Sequence, residues 1–198
     1  MKKWLATAWL TLLMVVIFSF FWYNQLVYSL PTPVPANYHP VSNGQKIILG
    51  SHFKKDDSKP VFLHFFNPDC PCSRFNIDQF KNLVKSYHNE VNFAVILLSD
   101  KHYTESEIQQ RFGVDVPVYA DSALAASCGV YSTPQAAVLK NDQTLYYRGN
   151  YNKSRYCTDI KTNFAKMALD GVIKHQPLTI LDNYAFKAYG CTVPNCGK

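Results

Sequence analysis

Several things are missing from this sequence, and each absence excludes a class. It contains no C-x-x-C motif, no Cys/His group at zinc-finger spacing and no internal repeat. A structural zinc site is therefore not expected. No Lys/Arg-rich block with interleaved aromatics occurs, so nucleic acid is not expected as a partner. Charged residues are scarce, 17% against 47% hydrophobic, which excludes a disordered polyelectrolyte. A chain of 198 residues has room for one ordinary domain with appendages rather than two full domains.

The deepest local absence is of charge. Residues Trp4 to Tyr23 carry none, and Lys2 and Lys3 stand immediately before them. At ~1.5 Å per residue that stretch is long enough to cross the ~30 Å hydrocarbon layer as a helix. Trp4, Trp22 and Tyr23 sit at its ends, where amphipathic rings favour the membrane interface. The lysine pair should keep the N-terminus cytoplasmic and put the rest of the chain outside. The run exceeds the ~7–15 apolar residues of a secretory core, so an uncleaved anchor is expected. The alternative is a cleaved signal peptide, with Val27-Tyr28-Ser29 as a poor cleavage site; either way the domain is exported. Without residues 1–23 the formal charge falls from +6 to 18 − 14 = +4, mild and scattered.

What is present then divides the chain. Pro31, Pro33, Pro35 and Pro40 make residues 24–45 an extended spacer. Residues 46–176 read as one α/β domain, and 177–198 as a cysteine-containing tail in which Pro177 and Pro194 argue against regular structure. Pro60 to Phe66, apolar except for His64, is the pattern of a central strand covered on both faces. Phe75, Ile77, Phe80, Val84 and Tyr87 predict an inward helical stripe from Ser73 to His88. Val91 to Leu98 is a second buried strand. Thr104 and Glu107 form a capping box for a short helix stopping near Gly113. Val116 to Tyr119 is a short strand, and Asp121 caps a helix ending at Gly129. Gln135 to Lys140 and Thr144 to Arg148 flank a turn at Asn141-Asp142. A last helix opens at Thr158 or Asp159, with Ile160, Phe164, Met167, Ala168 and Val172 facing inward. The order predicts a mixed central sheet with helices on both faces.

Six cysteines in so short a chain fit an oxidising compartment. Cys70 falls at the turn between the central strand and the next helix. Unpaired amides and the positive end of the helix dipole favour a thiolate there, which suits a redox cysteine. Cys70 and Cys72 are close enough for a strained, easily reduced disulfide. Cys128 reads as a buried apolar thiol. Cys157, Cys191 and Cys196 are disulfide candidates: Cys191 pairs locally with Cys196 or reaches Cys157, leaving a thiol able to exchange with Cys70 and Cys72. The sequence does not choose among these pairings.

At these residues the chain resembles the thioredoxin-like superfamily. Phe65-Phe66-Asn67-Pro68-Asp69-Cys70-Pro71-Cys72-Ser73 looks like its active-site turn, Tyr131-Ser132-Thr133-Pro134 like its cis-proline loop, and Gly149 like the glycine lining its substrate groove. More narrowly, Asp-Cys-Pro-Cys-Ser-Arg-Phe, Tyr147-Arg148-Gly149 and Tyr189-Gly190-Cys191 resemble a group of membrane-anchored bacterial redoxin-like proteins. The resemblance implies a thioredoxin-like fold and a thiol–disulfide oxidoreductase. It would act on protein thiols or disulfides from the periplasmic side of a bacterial inner membrane. Cys70 would be the attacking thiol, with Thr133, Pro134 and Gly149 binding substrate. His64 falls where thioredoxins carry a buried proton acceptor, and its alternative is a structural histidine of the sheet. No cofactor and no metal are implied.

One departure matters: Ser73 stands at the position of the usual resolving cysteine, so Cys72 or a tail cysteine must take that part. A peroxiredoxin would have Thr where Asn67 stands. Two other classes remain open, a copper-handling protein using the soft Cys70 and Cys72 thiolates, without a Met-rich stretch to support it, and a binding module that has lost the chemistry.

Overall fold

Six consecutive residues with one polar side chain among them can be satisfied only where both faces are covered, and Val61–Phe66 (β1) is buried at every position. The computed structural model describes residues 2–51, 53–154 and 156–194. In it β1 is the middle strand of a five-stranded sheet. Asn92–Leu97 (β2) runs parallel to β1, with Phe62 opposite Phe93 and Phe66 opposite Leu97, and Val118–Ala120 (β3) runs parallel to β2. On the other side Gln135–Leu139 (β5) is antiparallel to β1 and Leu145–Gly149 (β6) antiparallel to β5. The order β3-β2-β1-β5-β6, with helices packed on both faces, is the thioredoxin-like arrangement.

The period of two along β1 sorts its side chains into two cores. Phe62 and Phe66 meet Phe80, Leu83, Tyr151, Phe164 and Leu169 on one face. Val61, Leu63 and Phe65 meet Ile47, Leu49, Leu124 and Val130 on the other. The helices are Pro71–Tyr87 (α2), Glu105–Phe112 (α3), Ser122–Ser127 (α4) and Phe164–Ile173 (α5). Thr104 accepts from the Glu107 amide while the Glu107 carboxylate accepts from the Thr104 amide, and the left-handed Gly113 (φ 61°) ends α3. Asp121 caps α4 through the Leu124 amide.

Three expectations about helices fail for identifiable reasons. Asp159 caps only a 3-10 turn, Ile160–Thr162, and α5 starts four residues later with Asn163 accepting from the Lys166 amide. Ile160 consequently lies outside the helix and is 91% exposed, and Met167 falls at the edge of the buried stripe, 41% exposed. On α2 the buried side is Cys72, Ser73, Asn76, Gln79, Phe80 and Leu83. Polar residues hold that face through their amide nitrogens: Gln79 Nε2 donates to Asn163 Oδ1 at 2.6 Å, and Asn76 Nδ2 to the Cys157 sulfur at 3.2 Å. Phe75 is displaced outward and stands edge-on to Tyr156.

At the N-terminus Lys2–Ser29 (α1) extends beyond the uncharged run, and its Lys2–Leu26 portion is long and apolar enough to cross a membrane, with mean hydropathy 2.1 and no part buried. The spacer after it is not wholly detached: Thr32 is 2% exposed, its amide bonded to the Ala188 carbonyl and its hydroxyl to the Gly190 carbonyl. Nor is the tail irregular. It contains a 3-10 turn, Asn183–Ala185, and a short strand, Cys191–Thr192 (β7), paired antiparallel with Ser132–Thr133 (β4). The prolines permit this because neither occupies a paired position.

Candidate active site

The site begins where β1 ends. Cys70 is the N-cap of α2, with extended backbone (φ −81°, ψ 126°), and Pro71 opens the helix with a φ suited to its first turn. Asn67 shapes the approach. Its carbonyl accepts from the Cys70 amide at 3.1 Å, its side-chain oxygen from the Asp69 amide at 3.0 Å, and its Nδ2 donates to the Pro194 carbonyl at 3.0 Å. Tyr103 donates to the Asp69 carboxylate at 2.9 Å, and Lys101 lies 3.4 Å from it. The turn is thereby pinned to both the loop after β2 and the tail.

Cys70, Cys72 and Cys191 form one buried cluster. Cys70 is disulfide-bonded. Its bond is not made to Cys72: the Cys191 thiol donates to the Cys72 sulfur at 3.2 Å. That contact corrects the expectation of a Cys70–Cys72 bridge, and a Cys157–Cys191 bridge is likewise not formed, the Cys157 sulfur instead accepting from Asn76 Nδ2. The physical reason is β7. Thr133 stands opposite Cys191 in its ladder with β4, which delivers a sulfur from 119 residues away to the first turn of α2. Cys196 lies outside the described residues.

The Thr133–Pro134 peptide is cis. Thr133 is fully buried beneath the tail strand, while Pro134 shares a groove of about 400 Å³ with Cys72, Asn76, Tyr151, Cys157 and Tyr189. Gly149 is also under the tail: a Cβ there would stand 1.9 Å from the Ala185 carbonyl oxygen. Its place in the fold permits close approach of the chain's own tail rather than an open groove. Next to it Asn150 fastens the same segment, its side chain donating to the Tyr184 and Lys187 carbonyls and its amide to that of Ala185.

His64 is enclosed within the sheet. It is fully buried, its ring stacks on Phe80 at 4.3 Å, and its Nδ1 is hydrogen-bonded to the Tyr151 hydroxyl at 2.7 Å. Burial lowers its pKa to about 3, so it is neutral at pH 7 and a weak base. Among the described residues its Nε2 has no hydrogen-bond partner. Burial likewise pushes the Cys128 thiol up to about 12 and the Cys157 thiol up to about 11, the latter despite the hydrogen bond from Asn76. Neither thiol has appreciable thiolate at neutral pH. Among the described residues no group of three or more His, Cys, Asp or Glu side chains has metal-holding geometry.

Sequence reasoning missed Thr32, Asn67, Asn150 and Gly190, whose roles depend on the tail. The Gly190-Cys191 pair was its one visible signal.

The fold recurs in solved structures. A hypothetical protein from Sinorhizobium meliloti 1021 superposes with TM-score 0.62 at 15% identity, covering 79% of this chain and 96% of that one. An uncharacterized conserved protein from Geobacillus kaustophilus gives 0.56 at 18%, covering 66% and 74%. A thiol:disulfide interchange protein of the thioredoxin family from Chlorobium tepidum TLS gives 0.47 at 16%, covering 59% and 81%. At 15% and 18% identity the first two likenesses are of fold alone. No curated protein sequence matches the chain. Over residues 42–194 it matches the family described as Domain of unknown function (DUF6436), and to that family the chain belongs.

Proposed function

We propose that the protein is an exported, membrane-tethered thiol–disulfide oxidoreductase acting on protein thiols or disulfides. The observation that carries the reading is the approach of the Cys72 and Cys191 sulfurs to 3.2 Å at the start of α2, beside the Thr133–Pro134 loop. Two sulfurs at that distance need little movement to become a bond.

In the reducing direction, Cys72 loses its proton and attacks one sulfur of a client disulfide. The Cys72–client bond forms, the client S–S bond breaks, and the departing client sulfur takes up a proton. Cys191, deprotonated in turn, attacks Cys72, forming the Cys72–Cys191 disulfide and releasing the second client thiol. Two electrons pass from the protein to the client, and an external dithiol restores the pair. Cys70, already in a disulfide, attacks nothing until that bond is reduced. The sequence-based choice of Cys70 as nucleophile therefore applies to a different redox state from this one. Tethering and export are supported by the unburied apolar Lys2–Leu26 helix and by Lys2 and Lys3 at its start.

The test is reduction of insulin by dithiothreitol in the presence of the full-length protein in detergent. Wild type should accelerate it, and Cys72→Ser should lose at least 100-fold of that acceleration. Full activity in Cys72→Ser would reject the reading. For the tether, the protein should stay in the membrane pellet after alkaline carbonate extraction, and release into the supernatant would reject it.

A further inference from the structure

The tail strand has the shape of a reaction partner. A cysteine-bearing segment lies antiparallel along Ser132–Thr133, with Cys191 opposite Thr133 and Thr192 opposite Ser132. Its sulfur points at the Cys72 sulfur from 3.2 Å. An incoming client that offered its cysteine to Cys72 by adding a strand to β4 would need this same edge and this same register. Both cannot be seated at once.

We propose that residues 188–194 are a resident substrate mimic. They hold the client-docking edge closed, and they also show which client that edge takes best: an extended segment with glycine immediately before its cysteine. The proposal rests on the thiol–disulfide reading of the preceding subsection.

The glycine requirement comes from Gly190. A Cβ at that position would lie 2.2 Å from the Thr133 carbonyl oxygen and 2.6 Å from its carbon, both backbone atoms of the edge itself. No rotamer relieves such a contact, so any strand in this register must be bare at the residue before its cysteine. Among the described residues, several bonds hold the edge closed. Thr32 donates its amide to the Ala188 carbonyl at 2.8 Å and its hydroxyl to the Gly190 carbonyl at 2.6 Å, and Asn67 Nδ2 donates to the Pro194 carbonyl at 3.0 Å. Beyond these, β7 contributes a ladder of two residues. A two-residue strand has little stability of its own, so its seat depends on the contacts around it. While seated it competes as an intramolecular ligand, at an effective concentration of roughly millimolar, so a dilute client reacts only with the fraction of molecules whose tail has lifted. Thr32 lies three residues beyond the end of α1 at Ser29, so the clasp on the tail belongs to the segment next to the apolar helix.

Full-length protein in detergent tests this with two variants. Gly190→Ala should expel the strand, and Thr32→Val should loosen it by removing one hydrogen bond. The first readout is alkylation of Cys72 by iodoacetamide, followed by peptide mass, with circular dichroism to show that each variant is folded. Alkylation should be at least tenfold faster in Gly190→Ala and about threefold faster in Thr32→Val. Rates equal to wild type in both folded variants would overturn the closure while leaving the oxidoreductase reading intact. The second readout uses a peptide copy of residues 188–193, with its cysteine activated as a mixed disulfide with thionitrobenzoate, and a counterpart with alanine in place of its glycine. Release of thionitrobenzoate by the Gly190→Ala protein should be at least tenfold faster with the glycine peptide. Equal rates would overturn the glycine requirement. Failure of both peptides to react with a Cys72 that alkylates rapidly would overturn the oxidoreductase reading itself, and the client assignment with it.

Discussion

Two groups of cysteine are buried or half-buried in this fold, and what surrounds the sulfur separates them more than how deeply it is hidden. Cys72 and Cys191 are 9% and 2% exposed, and Cys128 is fully buried. Cys128 ends α4 among Leu124, Ala125 and Val130, where burial outweighs the Ser127 hydrogen bond and the Arg148 charge and raises its pKa to about 12. Cys157 has one hydrogen bond from Asn76 and still rises to about 11. Cys72 stands in the first turn of a helix with another sulfur 3.2 Å away. Burial by itself makes a thiol inert; chemistry requires a second sulfur within bonding reach and a backbone that presents it.

The largest effect expected of this contrast is on activity. Beside the loss of at least 100-fold in Cys72→Ser, Cys128→Ala should keep insulin reduction within about twofold of wild type. A comparable loss in both would erase the distinction between the two groups. Next, Cys157 should alkylate roughly 100-fold more slowly at pH 8 than a cysteine in an unstructured peptide, because a thiol near pKa 11 is only about 0.1% ionised there. Iodoacetamide time courses read by peptide mass would decide it, and modification at the peptide's rate would mean that Cys157 is not held as described.

The same buried face should give the protein an acid limit. The folded protein keeps His64 neutral down to about pH 3, whereas the unfolded chain protonates it below about 6.5. The unfolded state thus binds the extra proton between those values, and the stabilisation, fully present above pH 6.5, is lost as pH falls toward 3. By pH 4.5 the loss from this residue amounts to roughly 2–3 kcal/mol. Urea unfolding of a His64→Leu variant should lack this part of the pH dependence, and identical slopes in variant and wild type would dismiss the assignment. The smallest effect is a control remote from both cysteine groups. Thr104→Ala removes one partner of the α3 capping box and should cost about 1 kcal/mol in thermal unfolding. It should leave both cysteine reactivities as they are.

Much of the sheet and of α3 was legible because its signals are local. The apolar run Val61–Phe66, the Thr104/Glu107 box and Gly113 each report on residues a few positions apart. The start of α5 is not legible in the sequence because Asp159 and Asn163 are both good caps, and only packing of Phe164 and Leu169 into the core selects the second. Hydrophobicity alone points Phe75 inward. The inner face of α2 instead took Asn76 and Gln79, whose partners Cys157 and Asn163 lie more than 80 positions away. His64 could be placed on its strand but not given a role, since that depends on Tyr151 and Phe80 closing around it.

The opening absences mark the same boundary. With no C-x-x-C motif and Ser73 where a resolving cysteine would stand, the sequence by itself established a thioredoxin-like resemblance, an apolar N-terminal segment and a cysteine at the start of a helix. Which sulfur faces Cys72 was decided by the tertiary structure alone. β7 is two residues long, too short to carry any periodicity, and its pairing with β4 exists only because Gly190 lets two backbones meet and Thr32 and Asn67 hold them there. Local patterns encode elements, but a contact across 119 residues is encoded only in the surfaces those elements bring together.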